Sequence, residues 1–342
     1  MEEGVGDYNK TTKTDFNDSD YSFLKMWLIG LMYWPALIYV PLGVVGNVTS
    51  FLITTKKSNR NVSTCVYMSA LSVVDTNVLL SILCYRSLFV HGLGETIQDR
   101  FNSIVFFWYW SYTAGMASGL FLAGMSLDRA IAILFPLRAK AFCTASKAKK
   151  AIGIGFILPA VLNVNMFFTF DLNKDIITGL ESVYLNYPEP RWVEQVVGAY
   201  MLSFGTIIPF SVIMTCNVII IGNVRKAART RNKMAADGGG AASEERHLTR
   251  MLILVAVAYV ILSIPMRLYD MVFSIPALVE KYDMSDPYWR LRFNVELWTV
   301  TEMWDANFAV NFYLYFMGGG KKYRNEAKQV FTMFCWKQDK ER

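Results

Sequence analysis

The run IVFFWYWSYTAGMASGLFLAGMSLDRAIAILFP, Ile104–Pro136, decides the fold. From Ile104 to Leu127 it carries no charged residue, and then Asp128-Arg129 appears before apolar residues resume at Ala130. A stretch of about 20 apolar residues crosses a hydrocarbon core of about 30 Å as a helix. An ionisable pair at the edge of such a helix is expensive there and marks function by default.

Six comparable runs flank it. The chain has 342 residues, 54% of them hydrophobic and 15% aromatic. Only 18% are charged, where a soluble domain has about 25%. Spans are predicted at about 27–54, 64–90, 103–135, 147–170, 196–223, 248–275 and 293–317. Backbone polar groups in lipid must be satisfied within the segment, so these are helices. The fold class is an all-α seven-transmembrane bundle. Residues 1–26 read as an extracellular N-terminal arm, 27–317 as the seven-helix domain, and 318–342 as an amphipathic helix with a cytoplasmic tail.

Charge orients the bundle. Residues 1–26 and the loops near 91–100, 171–194 and 280–296 together carry −8, whereas the alternate loops and the tail carry +16. The positive-inside rule places the N-terminus outside and the C-terminus in the cytoplasm, in the plasma membrane. The overall charge of +6 thus reports topology and gives no reason to expect a nucleic acid. The first 26 residues lack a basic n-region and an apolar h-region, so the first span serves as its own insertion signal. Asn9-Lys10-Thr11 and Asn17-Asp18-Ser19 are glycosylation sequons on the outer side, whereas Asn47-Val48-Thr49 falls inside a helix.

Other classes find little support. The five cysteines have no CxxC spacing, and the two histidines, His91 and His247, lie on opposite faces. No span offers a histidine to activate a nucleophile, so a membrane enzyme is not expected. No internal repeat of a transporter is visible, and Asp75 stands alone between charges clustered at the two ends. A short linker, 235–243, separates the fifth and sixth helices. After Gly318-Gly319-Gly320, residues Tyr323, Ala327, Val330, Phe331 and Phe334 recur at helical spacing among Lys and Arg. That pattern gives an amphipathic helix on the inner lipid surface. Cys335 follows it as a palmitoylation candidate or a free thiol.

Polar residues within the spans are few. Asn47, Asp75, Ser118, Asn307 and Asn311 mark the middle of the bundle. A buried carboxylate at Asp75 either takes a proton within a plain hydrogen-bond network or shares a sodium ion with oxygens of Ser118, Asn307 and Asn311. No other cofactor is implied. Nearer the outside, Arg86, Arg267, Asp270, Glu302 and Asp305 lie among Tyr109, Trp110, Tyr112, Trp298 and Trp304. They suggest a polar, aromatic-lined ligand cavity. Trp298 reads instead as part of an interfacial aromatic belt; Arg267 reads as a cavity residue, the alternative being a pair with Asp270 three residues away.

Read together, these motifs resemble the rhodopsin-like (class A) G-protein-coupled receptors. Gly46-Asn47, Leu71-Ser72-Val73-Val74-Asp75, and Asp128-Arg129-Ala130 followed by Pro136-Leu137 are similar to that family's motifs in helices one to three. Pro209 and Pro265 stand where its fifth- and sixth-helix prolines do. Asn311-Phe312-Tyr313-Leu314-Tyr315 resembles Asn-Pro-x-x-Tyr, with Phe for Pro. With the glycines, Lys321-Lys322 and Tyr323-Arg324 that follow, it looks like the invertebrate FMRFamide-receptor type. The resemblance covers about residues 30 to 335.

There are departures. Ile104 stands where the family's third-helix cysteine forms a disulfide, and 171–194 holds no cysteine. Ser263 replaces the sixth-helix Trp, Tyr259 the Phe below it, and Asn217 the fifth-helix Tyr. The resemblance implies a two-state receptor. Arg129 would pair with Asp128 and reach Glu245, with Tyr315 nearby, until an extracellular ligand frees the inner face for a heterotrimeric G protein. The acidic outer face predicts a short cationic neuropeptide held by Glu302 and Asp305. The alternative is a small-molecule ligand of a chemosensory receptor.

Overall fold

The computed structural model describes residues 18–91, 97–174, 181–185, 192–234, 240–273 and 286–340. Eleven helices order the described chain: α1 Asp18–Thr54, α2 Ser63–His91, α3 Ile97–Leu134, α4 Pro136–Phe142, α5 Ala145–Leu162, α6 Met166–Thr169, α7 Trp192–Leu202, α8 Ile208–Met234, α9 Gly240–Phe273, α10 Pro287–Gly318 and α11 Lys321–Lys340. The first helix starts at Asp18, upstream of the span expected from about residue 27. A short hairpin joins Phe170–Lys174 (β1) to Glu181–Leu185 (β2), antiparallel, with Phe170 opposite Leu185 and Lys174 opposite Glu181. The hairpin falls within the stretch expected as a loop, and each strand is only five residues, too short for its alternation to stand out.

Local chemistry sets the helix ends. Thr144 accepts a hydrogen bond from Lys147 N at the start of α5. Asp286 accepts from Tyr288 N at 2.8 Å ahead of Pro287, which opens α10 without needing its missing N–H. A π-helical turn, Ser203–Ile207, precedes Pro209 and joins α7 to α8, so the fifth span is one continuous rod. Pro cannot donate to the preceding turn, and the wider turn lies where that bond is lost.

Among the described residues, six helices are long and apolar enough to cross a membrane: Ser19–Thr54, Ser63–Ser87, Asn102–Leu134, Ala145–Thr169, Val196–Asn223 and Arg250–Tyr269. The seventh, α10, is more polar because Glu302, Asp305, Asn307 and Asn311 lie on it, and all four are buried in the bundle. The molecule is therefore turned partly inside out relative to a soluble protein. Trp34, Ile38, Leu42, Ile154, Ile157, Val161, Phe168, Val218 and Ile261 are exposed, as lipid-facing residues should be.

The apolar core runs through Val78, Leu79, Ile82, Ala117, Phe121, Met125, Ile213, Leu252, Val255 and Phe308. Two glycines on α1 let α10 come close. A Cβ at Gly43 would stand 2.8 Å from Ala309 Cα, and one at Gly46 would stand 2.9 Å from Phe312 Cβ. The helix after Gly320, α11, packs on the bundle. Ala327 and Val330 pack with Ile53 and Phe312, and Tyr323 shares a 3.1 Å hydrogen bond with Ser50. Asn59 bridges Ile53 O and Glu326, which also faces Lys56. Burial pushes the Tyr323 phenol well above its ordinary value.

Candidate functional site

Three polar layers run through the helix core. The first lies toward the end of the bundle where α1 begins. Arg86 on α2 and Glu302 and Asp305 on α10 are 6%, 8% and 1% exposed, so two carboxylates and one guanidinium are taken out of solvent together. Arg86 Nη2 donates to Asp305 Oδ2 at 3.0 Å, and the same nitrogen touches Glu302 Oε1. Arg86 Nη1 donates to Met32 O at 3.1 Å, and Tyr39 Oη donates to Asp305 Oδ2 at 3.3 Å. Arg86 also lies 5.1 Å from the centre of the Trp298 ring. One arginine thereby ties α1, α2 and α10 together.

The charge count of this cluster is uneven. Asp305 accepts from Arg86 and Tyr39, and Glu302 pairs with the same Arg86 nitrogen, so two carboxylates share one guanidinium. Arg267 stands 5.2 Å over Trp304, whose ring leans on Tyr112 and Phe308. Asp270, the alternative partner of Arg267, has its side chain outside the described residues.

Several expectations change here. Arg86 was expected to line a cavity and is instead the internal partner of the two acids. Tyr109 turns away from the cluster toward α5: its hydroxyl donates to Ala160 O at 3.1 Å and its ring lies against Phe167. On a helix, Tyr109 and Tyr112 are three residues apart, but the path of α5 decides which of them sees the middle of the bundle. Trp298 belongs to the cluster rather than to an interfacial belt. Tyr39 carried no signal in the sequence, since nothing around it is charged.

The second layer centres on Asp75, which is fully buried. Ser118 Oγ donates to its Oδ1 at 2.6 Å and Asn311 Nδ2 to its Oδ2 at 2.7 Å. Asn307 is buried but makes no hydrogen bond to Asp75 among the described residues. Asn47 instead braces α1 on α10 through Phe308 O at 3.0 Å. As a cation site the donor set fits in part. Asp75 and Ser118 bring oxygens together, but Asn311 presents its N–H.

The third layer is at the opposite end. Ser63 Oγ donates to Asp128 Oδ2 at 2.8 Å, and the Cys143 thiol donates to Asp128 O at 3.2 Å. Burial and the Asp128 carboxylate push the Cys143 thiol up to about 11. The Asp128–Arg129 pair implied by the family resemblance is not formed, because Ser63 holds the carboxylate on the side of α2. Arg129 forms no ion pair among the described residues, and its Nε is buried without a partner. The Tyr315 hydroxyl is likewise buried and unpartnered. Glu245, Cys335, Asn9 and Asn17 lie outside the described residues or side chains. The described cysteines Cys65, Cys84, Cys143 and Cys216 are free, and Ile104 is buried in apolar packing.

Comparison with known proteins matches the sequence to a family. The model of the 7 transmembrane receptor (rhodopsin family) matches residues 46–313. The thyrotropin-releasing hormone receptor of Gallus gallus is 26% identical over 217 residues, which is 60% of this chain and 50% of that protein. Somatostatin receptor type 4 of Rattus norvegicus is 26% identical over 227 residues, 65% of this chain and 56% of its own length. Neuromedin-U receptor 2 of Homo sapiens is 24% identical over 264 residues, 73% and 61% respectively. The chain spans about half the length of the curated relatives it matches.

Proposed function

The chain belongs to the 7 transmembrane receptor (rhodopsin) family, and from that premise we propose that it is a plasma-membrane receptor, N-terminus outside, for an extracellular peptide. It passes the signal to a heterotrimeric G protein through the Asp128–Arg129 end of the bundle. Relatives named for thyrotropin-releasing hormone, somatostatin and neuromedin-U support a peptide ligand. Those relatives are vertebrate receptors. The finer likeness to the FMRFamide-receptor type rests on the run from Asn311 to Arg324 alone.

The observation that carries the ligand class is the excess carboxylate beside Arg86. Glu302 is buried and shares one guanidinium with Asp305. A buried carboxylate in that position gains from a second cation. The ligand therefore brings an ammonium or guanidinium group to Glu302, beside the aromatic faces of Tyr112 and Trp304. The acidic outer loops concentrate such ligands near the mouth. Asp305 is the weaker contact, being already spoken for by Arg86 and Tyr39.

A second reading is a small acidic molecule held by Arg267 over Trp304, as in a chemosensory receptor. Charge substitutions separate the two. G-protein activation is measured in cells against a panel of amidated basic peptides. Glu302→Gln should weaken an active basic peptide by tenfold or more, about 1.4 kcal/mol, while Arg267→Gln leaves it within about threefold. The reverse pattern, with an acidic agonist lost in Arg267→Gln, would establish the second reading.

A further inference from the structure

The inner ends of α9 and α10 meet through glycine. A Cβ built at Gly318 would stand 2.7 Å from Met251 Cα, 3.0 Å from Met251 N and 3.1 Å from Leu254 Cδ1. One at Gly320 would stand 3.0 Å from His247 Cδ2 and 3.3 Å from its Cγ. Carbon atoms pack best at about 3.5–4.0 Å, so both contacts would be repulsive. At Gly318 the obstacle is backbone, which no rotamer change can remove; a helix must shift. At Gly320 the obstacle is an imidazole ring, which can be deleted. Gly319 is different again. Its nearest neighbour is Tyr315 O, at 2.5 Å from a built Cβ, so it serves the end of its own helix.

Met251 and Leu252 are buried against the bundle, and Tyr315, one turn before Gly318, is buried with an unpartnered hydroxyl. Arg129 keeps an unpartnered Nε. Glu245 lies outside the described side chains, and the close packing at Gly318 and Gly320 is the hold on α9 that the described residues show.

We propose that Gly318 and Gly320 form a seat on which the inner end of α9 rests in the resting receptor, and that their lack of side chains sets the basal activity. They are positioning residues: they act through α9 and touch neither ligand nor G protein. The assignment rests on the receptor reading above. A side chain at either position wedges α9 outward and favours the open state without ligand. A two-state bundle responds to any perturbation that treats its two states unequally.

The test needs no ligand. The purified full chain in nanodiscs is mixed with a purified G protein, and nucleotide exchange is measured. Spin labels at exposed Arg250 and Lys321 report the α9–α11 separation. Gly318→Ala and Gly320→Ala should each raise basal exchange roughly fivefold or more and lengthen the label distance. Gly153→Ala should change neither, since a Cβ there meets nothing within 4 Å. His247→Ala combined with Gly320→Ala should return both readouts to the parent values, because the obstructing ring is gone. If Gly318→Ala fails to fold, the Gly320 pair carries the test alone. Native distance and native exchange in folded Gly320→Ala overturn the seat, as does a double variant that stays elevated. Longer distance without exchange upholds the seat and sinks the G-protein reading instead.

Discussion

Arg86 of α2 donates to Asp305 of α10 at 3.0 Å, and its same nitrogen touches Glu302 one turn earlier. The relationship joins residues 219 apart in sequence and crosses the helix interface in a layer that is nearly dry. Two buried carboxylates share one guanidinium there.

Arg86→Ala should therefore be costly. It would strand two buried carboxylates, and breaking a buried ion pair by removing one partner typically costs about 3–5 kcal/mol. Thermal unfolding of the purified receptor, or cell-surface expression, should drop sharply. The triple variant Arg86→Met, Glu302→Gln, Asp305→Asn should recover most of the loss. If Arg86→Ala is as stable as the parent, the cluster is not buried as described.

Arg129→Ala should behave in the opposite way. Arg129 makes no ion pair among the described residues, so its removal should leave expression and unfolding temperature nearly unchanged. G-protein activation should fall by at least tenfold, equivalent to about 1.4 kcal/mol. Signalling that survives in a well-expressed Arg129→Ala would remove Arg129 from the coupling surface.

Asp75 separates a sodium site from a plain hydrogen-bond network. We expect sodium chloride to raise the unfolding temperature relative to choline chloride at equal ionic strength, and Asp75→Asn to abolish the difference. Binding to the folded state alone stabilises by mass action, about 2.7 kcal/mol at a hundredfold excess over Kd. Accepting an ion would require Asn311 to turn its amide oxygen inward, so Asn311→Asp should strengthen the effect. Equal unfolding temperatures in the two salts would leave Ser118 and Asn311 as the whole of the site.

Cys143 gives a pH-dependent readout of the Asp128 layer. Burial and the Asp128 carboxylate hold its thiol up at about 11, so little thiolate exists at neutral pH. Alkylation, followed at this residue by peptide mapping, should be slow at pH 7.5 and should accelerate with each unit of pH toward 11. Asp128→Asn removes the negative neighbour, lowers the thiol and should speed labelling at pH 7.5. Labelling of the parent at the rate of an ordinary exposed cysteine would contradict the placement of Cys143 over Asp128.

Much of this molecule could be read before any coordinates existed. Apolar runs of span length force helices, because an unpaired backbone group in lipid costs several kcal/mol. The span positions, Asp75 with Ser118 and Asn311, Asp128-Arg129 and the amphipathic repeat after Gly320 were all legible as polar or periodic exceptions in an apolar background. The seventh helix could be recognised for the same reason. Its polar residues are too many for a lipid-facing helix, so they had to face inward.

Pairing in the first and third layers was not legible, since it depends on which helix faces are neighbours. Arg267 and Asp270 are close in sequence, and Arg86 and Asp305 are distant, yet the described contact to Asp305 belongs to Arg86 because α2 and α10 lie side by side. Asp128 and Arg129 are adjacent residues on a helix and point in different directions, which frees Asp128 for Ser63. Tyr39 and Trp298 entered the first layer through packing alone. The glycines after Tyr315 read as a break in the chain, and only the approach of Met251 gave Gly318 a second role. Composition and periodicity determine which residues must be buried in a membrane; the crossing of the helices determines whom each one meets there.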